Sequence, residues 1–579
     1  MQPSSSSSSS ESGGSKSVKK WGPIVAIVAV IAIIGGIVAS SGGDDADPSS
    51  TEAPGTTDAP VDSGAPKSDT WEYPLSFVDG QEKLTDEAFN KIAWGSRCDV
   101  ELGTIAVPSF FAPPCMAPFT GDNGGATAQG VTADEITIVH YQGPDDDPVI
   151  AYVTQAINSD ETNAQSTETL ENYIKYYETY YELYGRKVNL VTYISTGFAT
   201  DEVTARADAQ RIVEQYAPFV VVGGPALTNA FNDELAARKT TCMCGGGTAQ
   251  YLGERDPYLW AIDGSSEQKQ QLLVEYIEKQ LVGKPASHAG DALKGEIRKF
   301  ALTYVEGGSE SKDLADLAVT RMAAIGADLA LVLPYQLDPG TIQASASQII
   351  AKMKAEGVTT VLLSTDPVAP GALTREATAQ EYFPEWVVTA NTLTDTNAFA
   401  RSYDQAQWAH AFGISSLAVK TNPEKIGYAV TYKWFTGQDT PSPDGIGTLI
   451  PNWELLFAGI QDAGPNLTHQ TLGDSFKSFE TKKAITQPYL TWGDRGIWDE
   501  MDYSGIDDVT MFWWDPTATG MDELKKEGTG MMQFVDGGKR YLLGEMPTED
   551  KMFVVDGAIA MYDTAPASET PPAYPSPAG

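Results

Sequence analysis

From Val131 onward the chain repeats one rhythm: a short β-branched run, a turn rich in Gly, Ser or Asp, then an amphipathic helical stretch. This alternation constrains the fold most, because consecutive parallel strands need a crossover long enough to hold a helix. Residues 136–140, 188–194, 219–222 and 240–244 read as strands, with helices at 167–185, 201–216 and 228–239 between them. The rhythm restarts after Asp263, with helices at 268–281, 312–325 and 341–356 and strands at 299–305, 329–333 and 359–363. Two such series predict an α/β protein of two lobes, each a doubly wound parallel sheet. In the helix at 167–185, Tyr173, Tyr176, Tyr177, Tyr180, Tyr181 and Tyr184 recur at spacings of three and four, which reads as core packing.

Open parallel sheets bind ligands beyond the carboxyl ends of their strands. The informative segments are therefore Gly223-Gly224-Pro225, Gly245-Gly246-Gly247, Glu306-Gly307-Gly308 and Ser364-Thr365-Asp366-Pro367. Any one of these glycines is better explained as a turn residue or helix cap. The argument rests on several such ends, in two lobes, facing one cleft. H-E-x-x-H, C-x-x-C, G-x-S-x-G, Walker A and G-x-G-x-x-G are all absent from the sequence, so no common enzyme motif competes with a binding role.

The N-terminus bears on the compartment. A polar leader (1–20) ends in Lys16, Lys19 and Lys20, the segment from Trp21 to Ala39 carries no charge, and Asp44, Asp45 and Asp47 follow. Nineteen helical residues rise roughly 28 Å, close to a bilayer core. The charge order places the body outside the cytoplasm. The expectation is a retained transmembrane anchor at 21–40, with a cleaved signal peptide ending near Val38-Ala39-Ser40 as the alternative. Residues 41–70 read as a disordered linker and 564–579 as a disordered tail. With 78 acidic against 39 basic residues, the net charge of −39 disfavours nucleic acid and anionic lipid surfaces.

An oxidising compartment makes Cys98, Cys115, Cys242 and Cys244 disulfide candidates. Pairing Cys98 with Cys115 closes a loop of sixteen intervening residues. A bridge inside Cys242-x-Cys244 is strained, so cross-pairing with the first two cysteines stays open. No cysteine or histidine spacing suggests a metal, and no cofactor is expected.

Gly130-Val131-Thr132-Ala133-Asp134-Glu135-Ile136-Thr137-Ile138 is similar to the opening of type 1 periplasmic solute-binding proteins, which include branched-chain amino-acid-binding components of ABC importers. Glu182-x-x-Gly185-Arg186-Lys187-Val188 and the order of elements over roughly 130–560 fit the same pattern. The upstream Ala112-Pro113-Pro114-Cys115 and Gly121-Asp122-Asn123-Gly124-Gly125 resemble an extension, here 71–130, found in actinobacterial members. The resemblance implies two lobes joined by a three-stranded hinge, with lobe 1 at 131–262 and 392–500 and lobe 2 at 263–391 and 501–563. It further implies that lobe 1 holds a ligand carboxylate through backbone N–H groups and hydroxyls, and that an acidic residue of lobe 2 holds an ammonium. In lobe 1 the positions are Tyr141, Gly224, Pro225, Thr228, Asn229, Gly246 and Thr248; the serine pair of amino-acid binders is missing. In lobe 2 they are Tyr304, Glu306, Tyr335 and Asp366, with Asp366 the first candidate for the ammonium and Glu306 the second. The implied function is capture of a small polar solute, an amino acid, amide or similar, by hinge closure and its delivery to ABC permease subunits, without catalysis. A ligand-sensing ectodomain working through a partner protein is the first alternative. A small-amide hydrolase using paired carboxylates is the second.

Overall fold

The computed structural model describes residues 67–579 except 226, 308, 309, 391 and 392. The expected leader, the anchor at 21–40 and most of the linker lie outside the described residues. Among the described residues, no helix is long and apolar enough to cross a membrane.

The extension joins the first lobe. Two short helices, Phe77–Lys83 and Asp86–Phe89, are capped by Ser76 and Thr85, and Leu75, Phe77 and Ile105 are buried in the first lobe's core. Cys98 bonds to Cys115 and Cys242 to Cys244. The tripeptide bridge replaces the cross-pairing left open by the sequence: its Cα atoms stand 5.2 Å apart, within ordinary disulfide reach.

The first lobe runs β1 (Glu135–Gln142), α1 (Pro148–Ala156), α2 (Asn163–Tyr180), β2 (Lys187–Ile194), α3 (Glu202–Tyr216), β3 (Val220–Val222), α4 (Ala230–Ala237), β4 (Thr241–Met243) and α5 (Ala249–Gly253). Its sheet has the order β2-β1-β3-β4, all parallel. Helix α2 starts earlier than its apolar spacing suggests, because Thr162 and Gln165 form a reciprocal capping box. Its tyrosines pack inward: Tyr177 stacks on Phe457 with ring centroids 4.2 Å apart.

The second lobe runs α6 (Ser266–Gln280), β5 (Phe300–Val305), α7 (Glu310–Ala324), β6 (Leu329–Tyr335), α8 (Ile342–Glu356), β7 (Thr360–Ser364), α9 (Ala369–Ala379), β8 (Glu385–Thr389), α10 (Asn397–Ala400) and β9 (Ala411–Ser415). The chain then returns to the first lobe as α11 (Tyr428–Thr436), α12 (Ile446–Leu449), α13 (Pro451–Ala463) and α14 (His469–Ser478). It closes the second sheet with the hairpin β10 (Val509–Met521) and β11 (Glu527–Phe534). The order is β6-β5-β7-β8-β9-β10-β11, the first five parallel and the last two antiparallel. Successive strand residues face opposite layers. Leu362, Val387 and Phe412 pack on the α6/α7 side, and Val361, Trp386 and Val388 on the α8/α9 side.

Two boundaries differ from expectation. Residues 393–415 stay in the second lobe, because the buried run Ala411–Ser415 pairs with β8 and β10. The tail expected to be disordered lies against folded chain: the buried Glu569 carboxylate accepts the N–H groups of Ile485 and Thr486, and Trp434 Nε1 donates to the Tyr574 carbonyl.

Three passages connect the lobes: 259–265, 415–428 and 502–509. The first and third run side by side, with Gly505 N–H donating to the Ala261 carbonyl. A Cβ on Gly264 would lie 2.5 Å from the Ile506 carbonyl oxygen, and one on Gly505 would lie 2.4 Å from that of Ile262. Buried Arg540 ties the second passage to the third. It donates to the Leu417, Ser416 and Asp508 carbonyls at 2.9, 3.0 and 2.9 Å, and to Asp508 Oδ1 at 2.6 Å.

Candidate ligand cleft between the lobes

The carboxyl ends of the strands face one another across the gap between lobes. At the end of β5 the Cβ direction of Gly307 points to the Leu227 carbonyl oxygen at 3.8 Å, so the lobes stand close here. Helix α1, not among the expected elements, crosses the same gap. Asp147 caps it, accepting Val149 N–H at 2.8 Å while its other oxygen accepts Ala199 N–H at 2.6 Å in the first lobe. At the other end Val153 and Ile157 are buried in the second lobe's core. Lys526, on the β10–β11 turn, donates to the Ile157 and Asn158 carbonyls at 3.0 and 3.1 Å.

Most residues expected at the site have local structural work. In the first lobe Tyr141 is buried, its ring 4.7 Å from that of Phe231, and burial raises its phenol above the usual range. Gly224 packs beside Cys244 and Phe231, and Pro225 is buried next to it. Thr228 Oγ1 accepts Ala230 N–H at 3.2 Å. Asn229 sits at the head of α4 without capping it through its side chain. Thr248 caps α5, accepting Tyr251 N–H at 3.1 Å, and Gly246 is exposed with open space around it.

In the second lobe Tyr304 is buried among the α6 and α7 side chains and Glu306 is exposed. Tyr335 and Asp366 do meet. Tyr335 Oη donates to Asp366 Oδ2, while Asp366 Oδ1 accepts Val368 and Ala369 N–H at 2.7 and 3.0 Å. Asp366 is thus a buried cap at the start of α9. Burial pushes its carboxyl above the ordinary carboxylate range, against the lowering by these bonds. The Tyr152 phenol of α1 is also raised, first by burial and then by the Asp366 charge.

A cavity of about 180 Å³ opens beside these strand ends, and none of the expected residues lines it. Leu393, Phe399, Met521 and Leu524 form its second-lobe wall, Tyr428 and Ile446 its first-lobe wall, and Leu417 to Thr421 of the second passage its back. Lys420 is half-buried there, in a short parallel pairing of Lys420–Thr421 with Met561–Tyr562. Desolvation holds its ammonium below the ordinary lysine range, against the pull of Glu523 and Asp395. Both carboxyls are engaged: Glu523 accepts Asn397 and Ala398 N–H, each at 3.0 Å, and Asp395 accepts Ser415 Oγ at 2.6 Å. Burial raises Asp395 to about 6. The signal available in sequence was one lysine closing the apolar run Leu417-Ala418-Val419, directly after a strand.

The profile of a family described as periplasmic binding protein matches residues 157–501. No curated protein is significantly similar to the chain. Among solved structures, a fatty acid ABC transporter substrate-binding protein from Thermomonospora curvata is 16% identical, covering 72% of this chain and 95% of its own, with a TM-score of 0.48. A solute-binding protein from Rhodopseudomonas palustris HaA2, in complex with p-hydroxybenzoic acid, is 11% identical, covering 72% and 98%, with a TM-score of 0.49. A branched-chain amino acid transporter substrate-binding protein from Streptococcus pneumoniae, in complex with isoleucine, is 11% identical, covering 69% and 100%, with a TM-score of 0.45.

Proposed function

The chain belongs to the periplasmic binding protein family, and on that premise we propose that it captures a small solute between its lobes by hinge closure and delivers it to ABC permease subunits. One observation carries this reading: the apolar cavity beside Lys420 takes its walls from both lobes and its back from a passage between them, so it is complete only when the lobes are together. We assign capture to this cavity rather than to Asp366, whose carboxyl already serves Tyr335 and the α9 backbone. The body works outside the cytoplasm, held at the membrane by the apolar segment at 21–40, which raises its effective concentration near the importer.

The test is a thermal-shift panel of amino acids, amides and small organic acids on the full chain, followed by calorimetry of any hit. A ligand at 100 times its Kd adds about 2.7 kcal/mol. Stoichiometric binding with the compound recovered unchanged supports solute capture. A changed product recovered from the hit, or a folded protein that no compound stabilises, counts against it.

A further inference from the structure

Among the described residues, the cavity wall holds a half-buried cation, Lys420, with no ion-pair partner, and this names a ligand class. Resting on the solute-capture reading above, we propose that the cavity takes a small monocarboxylate with an apolar body, a single-ring aromatic acid or a six- to eight-carbon chain, its carboxylate paired with Lys420. The carboxylates that line the cavity are occupied. Asp522 pairs with Arg401 at 3.0 Å, Glu523 holds the α10 backbone, and Asp444 faces Lys526 at 3.9 Å. Among the described residues, Lys420 has no carboxylate within ion-pair distance and no hydrogen-bond acceptor. Lys525, at the rim, is exposed and needs none.

A half-buried, desolvated ammonium without a partner is costly unless a bound anion completes it. In a chain with a net charge of −39, a half-buried cation left without a paired carboxylate is the anomaly that a ligand carboxylate resolves. Most of the remaining wall is apolar: Leu393, Phe399, Leu417, Ile446 and Met521 offer an apolar body dispersion contacts, while Thr421 Oγ1 and Gln487 Oε1, buried without a hydrogen bond among the described residues, leave room for one polar substituent on that body. Size follows from volume: a cavity of about 150 Å³ accommodates benzene, and this one measures about 180 Å³. An amino acid of equal size would bring an ammonium next to Lys420 and find no carboxylate without a prior partner.

The test is calorimetric titration of the full chain with benzoate and octanoate, beside benzyl alcohol, 1-octanol and phenylalanine as matched neutral and zwitterionic bodies. Benzoate or octanoate is expected to bind at least tenfold more tightly than its alcohol. Lys420→Met should weaken the acid by about ten- to a hundredfold and leave the alcohol unchanged, the size expected for one charge-assisted hydrogen bond. Gly447→Leu places a side chain on the cavity wall where no atom lies within 4 Å of the new Cβ, so it fills the space without disturbing the fold, and it should abolish binding of both. Binding that Gly447→Leu abolishes but Lys420→Met leaves intact, or a preference for the alcohol or phenylalanine, overturns the carboxylate assignment while solute capture stands. No binding by any compound of the wider panel overturns both.

Discussion

Glu454 of α13 is 4% exposed and lies under the α2 tyrosines, and its Oε2 has no hydrogen-bond partner among the described residues. Burial raises its carboxyl from 4.5 to about 7, against a lowering hydrogen bond with Tyr428. The folded state therefore prefers the protonated acid. Its contribution to stability is complete below the unfolded value near 4.5 and is lost as pH rises through about 7. At about 1.4 kcal/mol per pH unit, the full penalty above pH 7 is about 3 kcal/mol. Glu454→Gln keeps the shape and the Tyr428 bond and removes the charge. Urea denaturation read by tryptophan fluorescence suits the test, because neighbouring Trp453 is buried. The variant should gain stability over the native chain between pH 5 and pH 8.5, the difference widening by about 2–3 kcal/mol. Asp395, Asp462 and Asp502, also raised by burial, tilt both curves alike and cancel in the comparison. A constant offset across that range would refute the reasoning.

Arg540→Met leaves Asp508 buried without its partner and should cost about 3–5 kcal/mol in chemical denaturation, with Arg540→Lys restoring little because one ammonium cannot span three carbonyls and a carboxylate. Gly264→Ala and Gly505→Ala push a Cβ into the facing passage, so each should enlarge the radius of gyration in small-angle scattering and weaken solute binding more than it lowers the melting temperature. Asp366→Ala should cost about 1–2 kcal/mol through loss of the α9 cap, with the affinity for a bound acid unchanged. Intact-mass analysis after alkylation without reductant should find no free thiol among the four cysteines, and replacing Cys98 and Cys115 by serine should cost about 3 kcal/mol, read by denaturation.

The architecture was legible because strands and helices are local. The run 299–305 and the segment Phe300–Val305 nearly coincide, as do 201–216 and Glu202–Tyr216, since β-branched runs and capped amphipathic stretches need only their own residues. The cavity was not legible. Its walls come mainly from 393–399, 417–429, 443–448 and 521–525, which only tertiary folding brings together, and no periodicity marks such a set. The polar candidates at the strand ends carry local structural roles for a related reason. Thr248 and Asp366 are polar residues before helices, and capping uses the same chemistry as ligand binding. Helix α1 did carry a signal in Asp147-Pro148, a cap followed by proline in the first turn, within an otherwise turn-like stretch. The order of the tail is not legible because composition measures apolar area, whereas Glu569, accepting from Ile485 and Thr486, and Tyr574, bonded to Trp434 and Asp99, hold it through a few polar contacts.

Helix α1 sets the tempo of exchange. It is anchored by Asp147 in one lobe and buries Val153 and Ile157 in the other, so parting the lobes must draw two aliphatic side chains into water. Each costs about 1.5–3 kcal/mol, and the sum opposes parting of the lobes. A binder of this build works as a slow latch. On the solute-capture reading proposed above, dwell time would be set by this hydrophobic clasp, and a partner that pries α1 loose would govern unloading more directly than one that competes for the solute.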